Sequence, residues 1–387
     1  MNQAPVNAEK GILLPAIVVG LCAHGMHIVR NLSRHGIEVI AIESNFEQPT
    51  AKTKYGKKVK CDNINSESLI DCLLNIFDQH GVPLPVFLTN DKMLENIDAH
   101  WGRVKGKFIF PFERSHLKPL MDKNSLHRIA VDYGFKLPRS FTLESVEGLE
   151  ELPEDLQYPV ILKPTIPMGS FKTLICENPI KVAEKLQLCV GEPLVLQEWI
   201  PGEEQHLYFC GYYIDRNLVC KTQFSGRKYL CYPDITGNTG AAEPFYYPHL
   251  LKQGLEFFQS LGVHGLCSIE YKGLNANSPY FIEVTIGRTD WWAMCSTVNG
   301  ANPHIAAYND MTFQNISYES KPSCKFLWNI SDRALPVVRD KLKNRAWGIR
   351  DLLIYLFRPK KFAIFDIHDL SPFFYSTKCL FVNMFKK

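Results

Sequence analysis

Two acidic side chains stand out by type and spacing. Glu270 lies in the apolar stretch Cys267–Lys272, and Glu283 lies in a second one, Tyr280–Ile286. Each stretch reads as a short β-strand, and Gly273–Ser278 between them is turn material. Strands of one hairpin run about 4.8 Å apart, so a register that aligns the two glutamates makes a paired-carboxylate site. Like charges that close are unfavourable until a cation neutralises them. A hard divalent ion with oxygen ligands and room for phosphates is Mg²⁺. The other reading is a surface hairpin carrying two solvated acids.

Cationic and base-recognising groups must then come from elsewhere. Tyr158–Lys163 is a strand that delivers Lys163 at its end, where Pro164 breaks the ladder. In the loop that follows, Met168-Gly169-Ser170 lets backbone amides approach phosphate oxygens, and Lys172 can reach an anion. Pro193–Glu198 is an apolar strand entering a Pro201-Gly202 turn with Glu203 and Glu204 beyond it. Such a strand can offer Gln197 and backbone groups to a base edge, with Ile200 as an apolar wall and an acid for ribose hydroxyls. His206–Cys210 and Tyr212–Cys220 read as strands continuing that sheet.

The 387 residues suffice for two or three domains. Apolar residues make up 46% and charged residues 21%, which is ordinary for a globular protein. A net charge of +3 gives no case for a nucleic-acid partner. No apolar run approaches the ~20 residues of a membrane helix, and Met1–Lys10 has no signal-peptide core. Twelve cysteines without a Cys-x-x-Cys pair fit reduced thiols in a cytoplasmic protein.

Upstream, Ala16–Gly20, a helix through Leu32 and Ile37–Glu43 form a β-α-β unit, which predicts a parallel sheet. The glycine spacing Gly20-x4-Gly25 lacks the dinucleotide fingerprint. Glu43 at the second strand's end keeps a nicotinamide oxidoreductase as a weak competing reading. His24 and His27 share a helical face and read as structural. The basic run Lys52–Lys60 reads as a solvated face. Ser66–His80 reads as a helix and Pro85–Asp91 as a strand, and Leu117–Gly134 reads as one helix containing Asp122-Lys123.

Taken in order, Asp122-Lys123, Val160–Pro164, Leu196–Gly202, Ser268–Glu270 and Ile282-Glu283 resemble the ATP-grasp superfamily, from about Ala16 to Asn309. The resemblance implies an α/β and α+β chain in three parts. A small Rossmann-like parallel domain covers 1–112. An ATP-grasp domain covers 113–312, in subdomains 113–192 and 193–312. A C-terminal extension covers 313–387. By position, Lys123 and Lys163 resemble the phosphate-contacting lysines, with Gly169 in the loop between strands. Gln197, Glu198, Trp199 and Ile200 resemble the adenine hinge, and Glu204 the ribose acid. Glu270 and Glu283 resemble the ligands of Mg²⁺, or of Mn²⁺. Arg288 resembles the arginine that steadies the γ-phosphate or an acyl phosphate, and Lys228 a further basic residue lining the site.

Within the superfamily, Glu283–Asn302 most resembles carboxylate–amine ligases related to the carbamoyl-phosphate-synthase large chain. Those enzymes form an amide through an acyl phosphate, releasing ADP and phosphate from ATP, and take small carboxylates and amines. The family's asparagine two residues past the second acid is Thr285 here, a poorer metal ligand, and the loop after Lys163 is glycine-poor. Both departures support the alternative of a nucleotide-binding descendant without catalysis. Tyr229–Pro244, particularly Thr236–Gly240, is expected to face the second substrate, with a mobile surface loop as the other reading. Asp290-Trp291-Trp292 follows the acids, with the tryptophans expected in packing. In the extension, Trp347–Phe357 is amphipathic and followed by Arg358, Lys360 and Lys361. Its expected fate is docking on the main body, with interfacial membrane contact as the other possibility.

Overall fold

The computed structural model describes residues 13–143, 152–164, 173–187, 194–232, 237–318, 322 and 325–385. The chain begins with alternating strands and helices: β1 (Ala16–Val19), α1 (Ala23–Arg34), β2 (Val39–Glu43), β3 (Lys57–Lys60), α2 (Glu67–His80), β4 (Leu84–Leu88), α3 (Asp91–Ala99), α4 (Trp101–Val104) and β5 (Phe108–Ile109). The strands are wholly parallel in the order β3-β2-β1-β4-β5. β1, β2 and β4 are buried throughout, as continuous apolar strands covered on both faces must be. The turn from β1 into α1 is tight. Gly20 has φ 87°, and a Cβ there would lie 2.2 Å from Thr89 Oγ1, so only glycine fits. The lysine run expected to be a solvated face includes β3, the edge strand of this sheet.

The stretch 117–134 is two helices, not one. α5 (Arg114–Met121) contains Pro119 and ends at Asp122, whose side chain accepts the Ser125 amide at 2.8 Å to cap α6 (Lys123–Tyr133). A four-stranded antiparallel sheet follows in the order β6-β9-β7-β8, made of β6 (Ser140–Leu143), β7 (Val160–Pro164), β8 (Leu174–Cys176) and β9 (Leu194–Glu198), with α7 (Pro179–Gln187) between the last two in sequence.

The central sheet takes β10 (Leu207–Ile214), β11 (Cys220–Tyr232), β12 (Asn238–Pro244), β13 (Gly265–Lys272) and β14 (Tyr280–Ile286), with α8 (Pro248–Ser260) packed on it. β10 runs straight through Gly211, where two separate strands were expected. Trp292 lies flat in the space a side chain would need, and a Cβ on Gly211 would sit 2.4 Å from its ring. After α9 (Ala293–Val298) and α10 (Pro303–Thr312), the C-terminal segment supplies β15 (Leu327–Asn329), α11 (Ser331–Lys343), α12 (Ile349–Phe357), β16 (Lys360–Phe362) and α13 (Ser371–Phe385). Its two strands complete the seven-stranded order β14-β13-β10-β11-β12-β15-β16. The segment is also bound to the N-terminal α/β elements. Buried Asp369 accepts from Arg30 Nε at 2.8 Å, Thr53 Oγ1 at 2.5 Å and the Lys54 amide at 3.0 Å.

Candidate active site

The three sheets enclose a cavity of about 780 Å³. One wall is the hairpin β13–β14, whose register places Glu270 directly opposite Glu283, with a bulge immediately after. Lys228, on β11 and so one strand beyond β10, reaches Glu270 at 2.8 Å. The two side chains are 8% and 12% exposed, so this is a buried ion pair. Burial works against the Lys228 charge, yet Glu270, aided by Glu283, holds the ammonium above the ordinary lysine range. Burial pushes the Glu270 carboxyl up, Lys228 opposes this, and the charges of Glu283 and Asp290 add to it. The protein therefore places its own cation on the carboxylate pair.

Arg288 enters from the turn after β14. It holds Asp91 of α3 in a two-pronged contact, Nε–Oδ1 2.6 Å and Nη2–Oδ2 3.0 Å. Its Nη1 donates to Asp290 Oδ1 at 3.1 Å and to the Thr289 carbonyl at 3.3 Å. Four of the five N–H groups are thus engaged. Burial opposes the charge, but Asp91 and Asp290 keep the guanidinium firmly protonated. The turn itself is fixed from behind. Thr289 Oγ1 shares hydrogen bonds with His24 Nε2 at 2.5 Å and His304 Nε2 at 2.9 Å, and His27 Nε2 meets Thr297 at 3.1 Å. Burial holds these histidines neutral, His304 at about 3. The histidine pair seen in sequence is a structural joint between α1 and the segment behind Arg288.

The opposite wall carries the other cations. Lys123, the first residue of α6, donates to the Pro164 carbonyl at 2.7 Å, and Lys163 donates to Gln197 Oε1 at 3.0 Å. Gln197 Nε2 in turn donates to Ser140 Oγ at 3.0 Å, so its amide is held by the protein on both sides. Trp199 and Ile200 line the cavity with these residues.

Two expected residues point elsewhere. Glu198 faces Arg139, 3.4 Å away, and is not among the cavity-lining residues. Glu204 is buried and meets Lys341 of α11 at 3.0 Å, also away from the lining. Strand alternation turns Glu198 outward, and a lysine from a remote helix takes the acid expected to meet ribose. Gly169, with Lys172 and Thr236, lies outside the described residues. Gly237, Asn238 and Thr239 line the cavity. Trp292 stacks on Phe209 at 4.3 Å between ring centroids, while Trp291 carries Arg333 over its face at 3.8 Å.

Lys272 was missed in sequence. It lies on β13 two residues after Glu270, hence on the same face, and lines the cavity with only 7% exposure. Its ammonium sits 3.9 Å over the Trp199 ring. Burial lowers it to about 8, with Lys163 and Lys228 contributing and Cys231 and Glu204 opposing. The only available signal was a lysine in phase with the acid on a strand, a pattern shared with many solvated strands. Asp290, which accepts from Ser268 Oγ at 2.6 Å and Thr285 Oγ1 at 3.2 Å, was noted only as a neighbour of the acids.

The oxygen-rich pair Glu270–Glu283 fits Mg²⁺, which needs one or two carboxylates and completes its shell with phosphates and water. Thr285 Oγ1 faces Asp290 in this arrangement. Among the described residues, no cluster of three or more His, Cys, Asp or Glu side chains is built to hold a metal alone. Glu43 fills its own carboxylate with the amides of Leu21, Ser44 and Asn45 and with Gln48 Nε2 at 2.7 Å. It thus ties the β1–α1 and β2 loops together, which removes the ground for reading it as a ribose acid.

No family model matches the chain. Its structure is similar to that of N5-carboxyaminoimidazole ribonucleotide synthetase in complex with ADP, at 12% identity and a TM-score of 0.64 over 81% of each chain. It is also similar to the biotin carboxylase domain of the Hydrogenobacter thermophilus 2-oxoglutarate carboxylase, a complex with MgADP, ADP and bicarbonate. That match has 14% identity and a TM-score of 0.62 over 80% of this chain and 72% of the other. Campylobacter jejuni biotin carboxylase with an ATP ligand matches at 14% identity and 0.62, over 81% and 74%.

Proposed function

The chain has the ATP-grasp fold preceded by a Rossmann-like parallel α/β domain, and we propose that it is an ATP-dependent carboxylate–amine ligase. The observation that supports this most is the convergence of Lys123, Lys163, Lys228 and Arg288 on one cavity with the opposed pair Glu270 and Glu283. That lining suits a triphosphate at one end and a carboxylate at the other.

In this reading a carboxylate oxygen of the first substrate attacks the γ-phosphorus of ATP. The bond from that phosphorus to the β-phosphate bridging oxygen breaks, and ADP leaves. An amine then attacks the acyl carbon, inorganic phosphate departs with the bonding pair, and the nitrogen loses a proton to give the amide. The protein supplies position and charge rather than a covalent nucleophile. Lys123 and Lys163 hold the phosphates, and Lys228 and Arg288 face the reacting end. Trp199, Ile200 and Lys272 hold the base end. Glu270 and Glu283 would hold Mg²⁺, which neutralises phosphate charge when bound.

The test is ADP release with Mg²⁺ and a panel of carboxylates and amines. Lys163→Ala and Glu283→Ala are each expected to reduce it at least about a hundredfold, the consequence of losing ~2.7 kcal/mol of transition-state stabilisation. Unchanged turnover in either variant would remove that residue's role. A second reading, a nucleotide-binding protein without turnover, draws on Lys228 resting on Glu270 and on Thr285 being turned to Asp290. ATP binding without ADP release across the whole panel would favour it.

A further inference from the structure

Helix α12 docks on the body of the protein through one face, as expected, and leaves a broad apolar face uncovered. Of Ile349–Phe357 only Tyr355 is buried, with its hydroxyl accepting from Asn329 Nδ2 at 2.6 Å. Leu352 packs partly beside it. Ile349, Leu353, Ile354, Leu356 and Phe357 are exposed by 74, 45, 51, 56 and 82%. At about 100° per residue these five fall on one broad arc opposite Tyr355. Single exposed apolar side chains are ordinary, but five on one short helix make a contiguous patch that marks an interaction site.

The exposed charges on and next to the helix are mostly basic. Arg350 lies within the arc, and Lys343, Arg345 and Lys361 flank the helix in sequence, all exposed. The helix's single acid, Asp351, is turned back to accept the Gly348 amide at 2.9 Å. We propose that α12 lies along the surface of a bilayer containing anionic lipid, with the apolar arc among the upper acyl chains and the basic rim on the headgroups. The charge pattern selects this occupant over a second copy. A twofold contact through this face would set Arg350 and its flanking cations against the same cations of the partner. Nine residues span about 14 Å, under half the ~30 Å hydrocarbon core, so α12 lies on the membrane rather than across it. No helix among the described residues is long and apolar enough to cross one.

The face is anchored to the cavity wall. Arg358, directly after α12, pairs with Glu243 of β12, which also accepts from Arg227 Nε at 2.6 Å. Asn238 and Thr239 of the same strand line the cavity. A docked α12 therefore holds the cavity in a fixed attitude to the lipid surface.

The test is sedimentation of the full chain with vesicles of phosphatidylcholine, alone or mixed with phosphatidylglycerol, at low and high salt. The expected result is pelleting with the mixed vesicles, little with phosphatidylcholine alone, and loss at high salt. The double variant L353E/F357E should bind about tenfold or more weakly with its unfolding temperature kept, because both sites are exposed. Failure to pellet with anionic vesicles overturns the proposal, as does undiminished pelleting of the double variant. Lipid-free self-association in sedimentation velocity that L353E/F357E abolishes would assign the face to a second copy, and also overturns it.

Discussion

Replacing Lys228 by methionine tests how the carboxylate pair is held. The substitution keeps the volume and removes the cation 2.8 Å from Glu270. At an effective dielectric of about 20, the direct attraction across that distance is about 6 kcal/mol. Desolvation of both partners offsets much of it in the native protein. Glu270 is then left buried beside Glu283 with no counter-charge, a loss typically worth about 3–5 kcal/mol. At about 2.1 cal/mol/K of unfolding entropy per residue, 387 residues give about 0.8 kcal/mol/K, so the midpoint should fall by roughly 5 °C. Two further readouts separate this cause from simple loss of packing. Glu270 is already raised above its ordinary range by burial. Without Lys228 it rises further, the folded variant binds a proton more readily than the unfolded chain, and the gap to wild type narrows as pH falls from 8 to 5. Mg²⁺ should restore part of the variant's stability by taking the ammonium's place. Calorimetric scans over that pH range, with Mg²⁺ and with EDTA, measure all three. A loss under about 1 kcal/mol that ignores both pH and Mg²⁺ would refute the reasoning.

Lys272→Met is expected to weaken ATP binding about tenfold, a loss of about 1.4 kcal/mol. Wild-type affinity should itself decline as pH rises through about 8, where the free ammonium loses its proton; titration calorimetry at pH 7 and 9 reads both. His304 stays neutral down to about 3 when folded, whereas the unfolded imidazole gains its proton near 6.5. Its contribution is therefore intact above 6.5 and is lost as pH falls towards 3. Between pH 7 and 5.5 this removes about 1.3 kcal/mol, and His304→Gln should show a correspondingly shallower decline in urea midpoints.

The parts of the site legible in sequence were those written in local pattern. Glu270 and Glu283 each sit in an apolar, aromatic stretch with a turn between, so the hairpin was legible, whereas the register that sets them opposite one another came only with the fold. Lys163 is marked by the proline after it. What escaped was long-range. Nothing near Glu204 announces Lys341, and Asp369 gives no hint of Arg30 across most of the chain. β15 and β16 have three residues each, too few for any periodicity, and gain their strand form by pairing, β15 on β12 and β16 on β15. The two-helix break at Asp122 was visible as a proline and a capping residue, but the apolar spacing ran through it.

Those late strands carry a consequence for biogenesis. β12 meets the last part of the sheet through Ala241–Asn329 and Ala242–Trp328, so during synthesis its outer edge waits for residues that leave the ribosome much later. Until then the nascent chain displays an open row of amides and carbonyls beside the half-built cavity, the kind of edge that recruits stray strands. A chaperone that shields this edge, or a slower final stretch of translation, would change the yield of folded protein without touching any residue that lines the cavity.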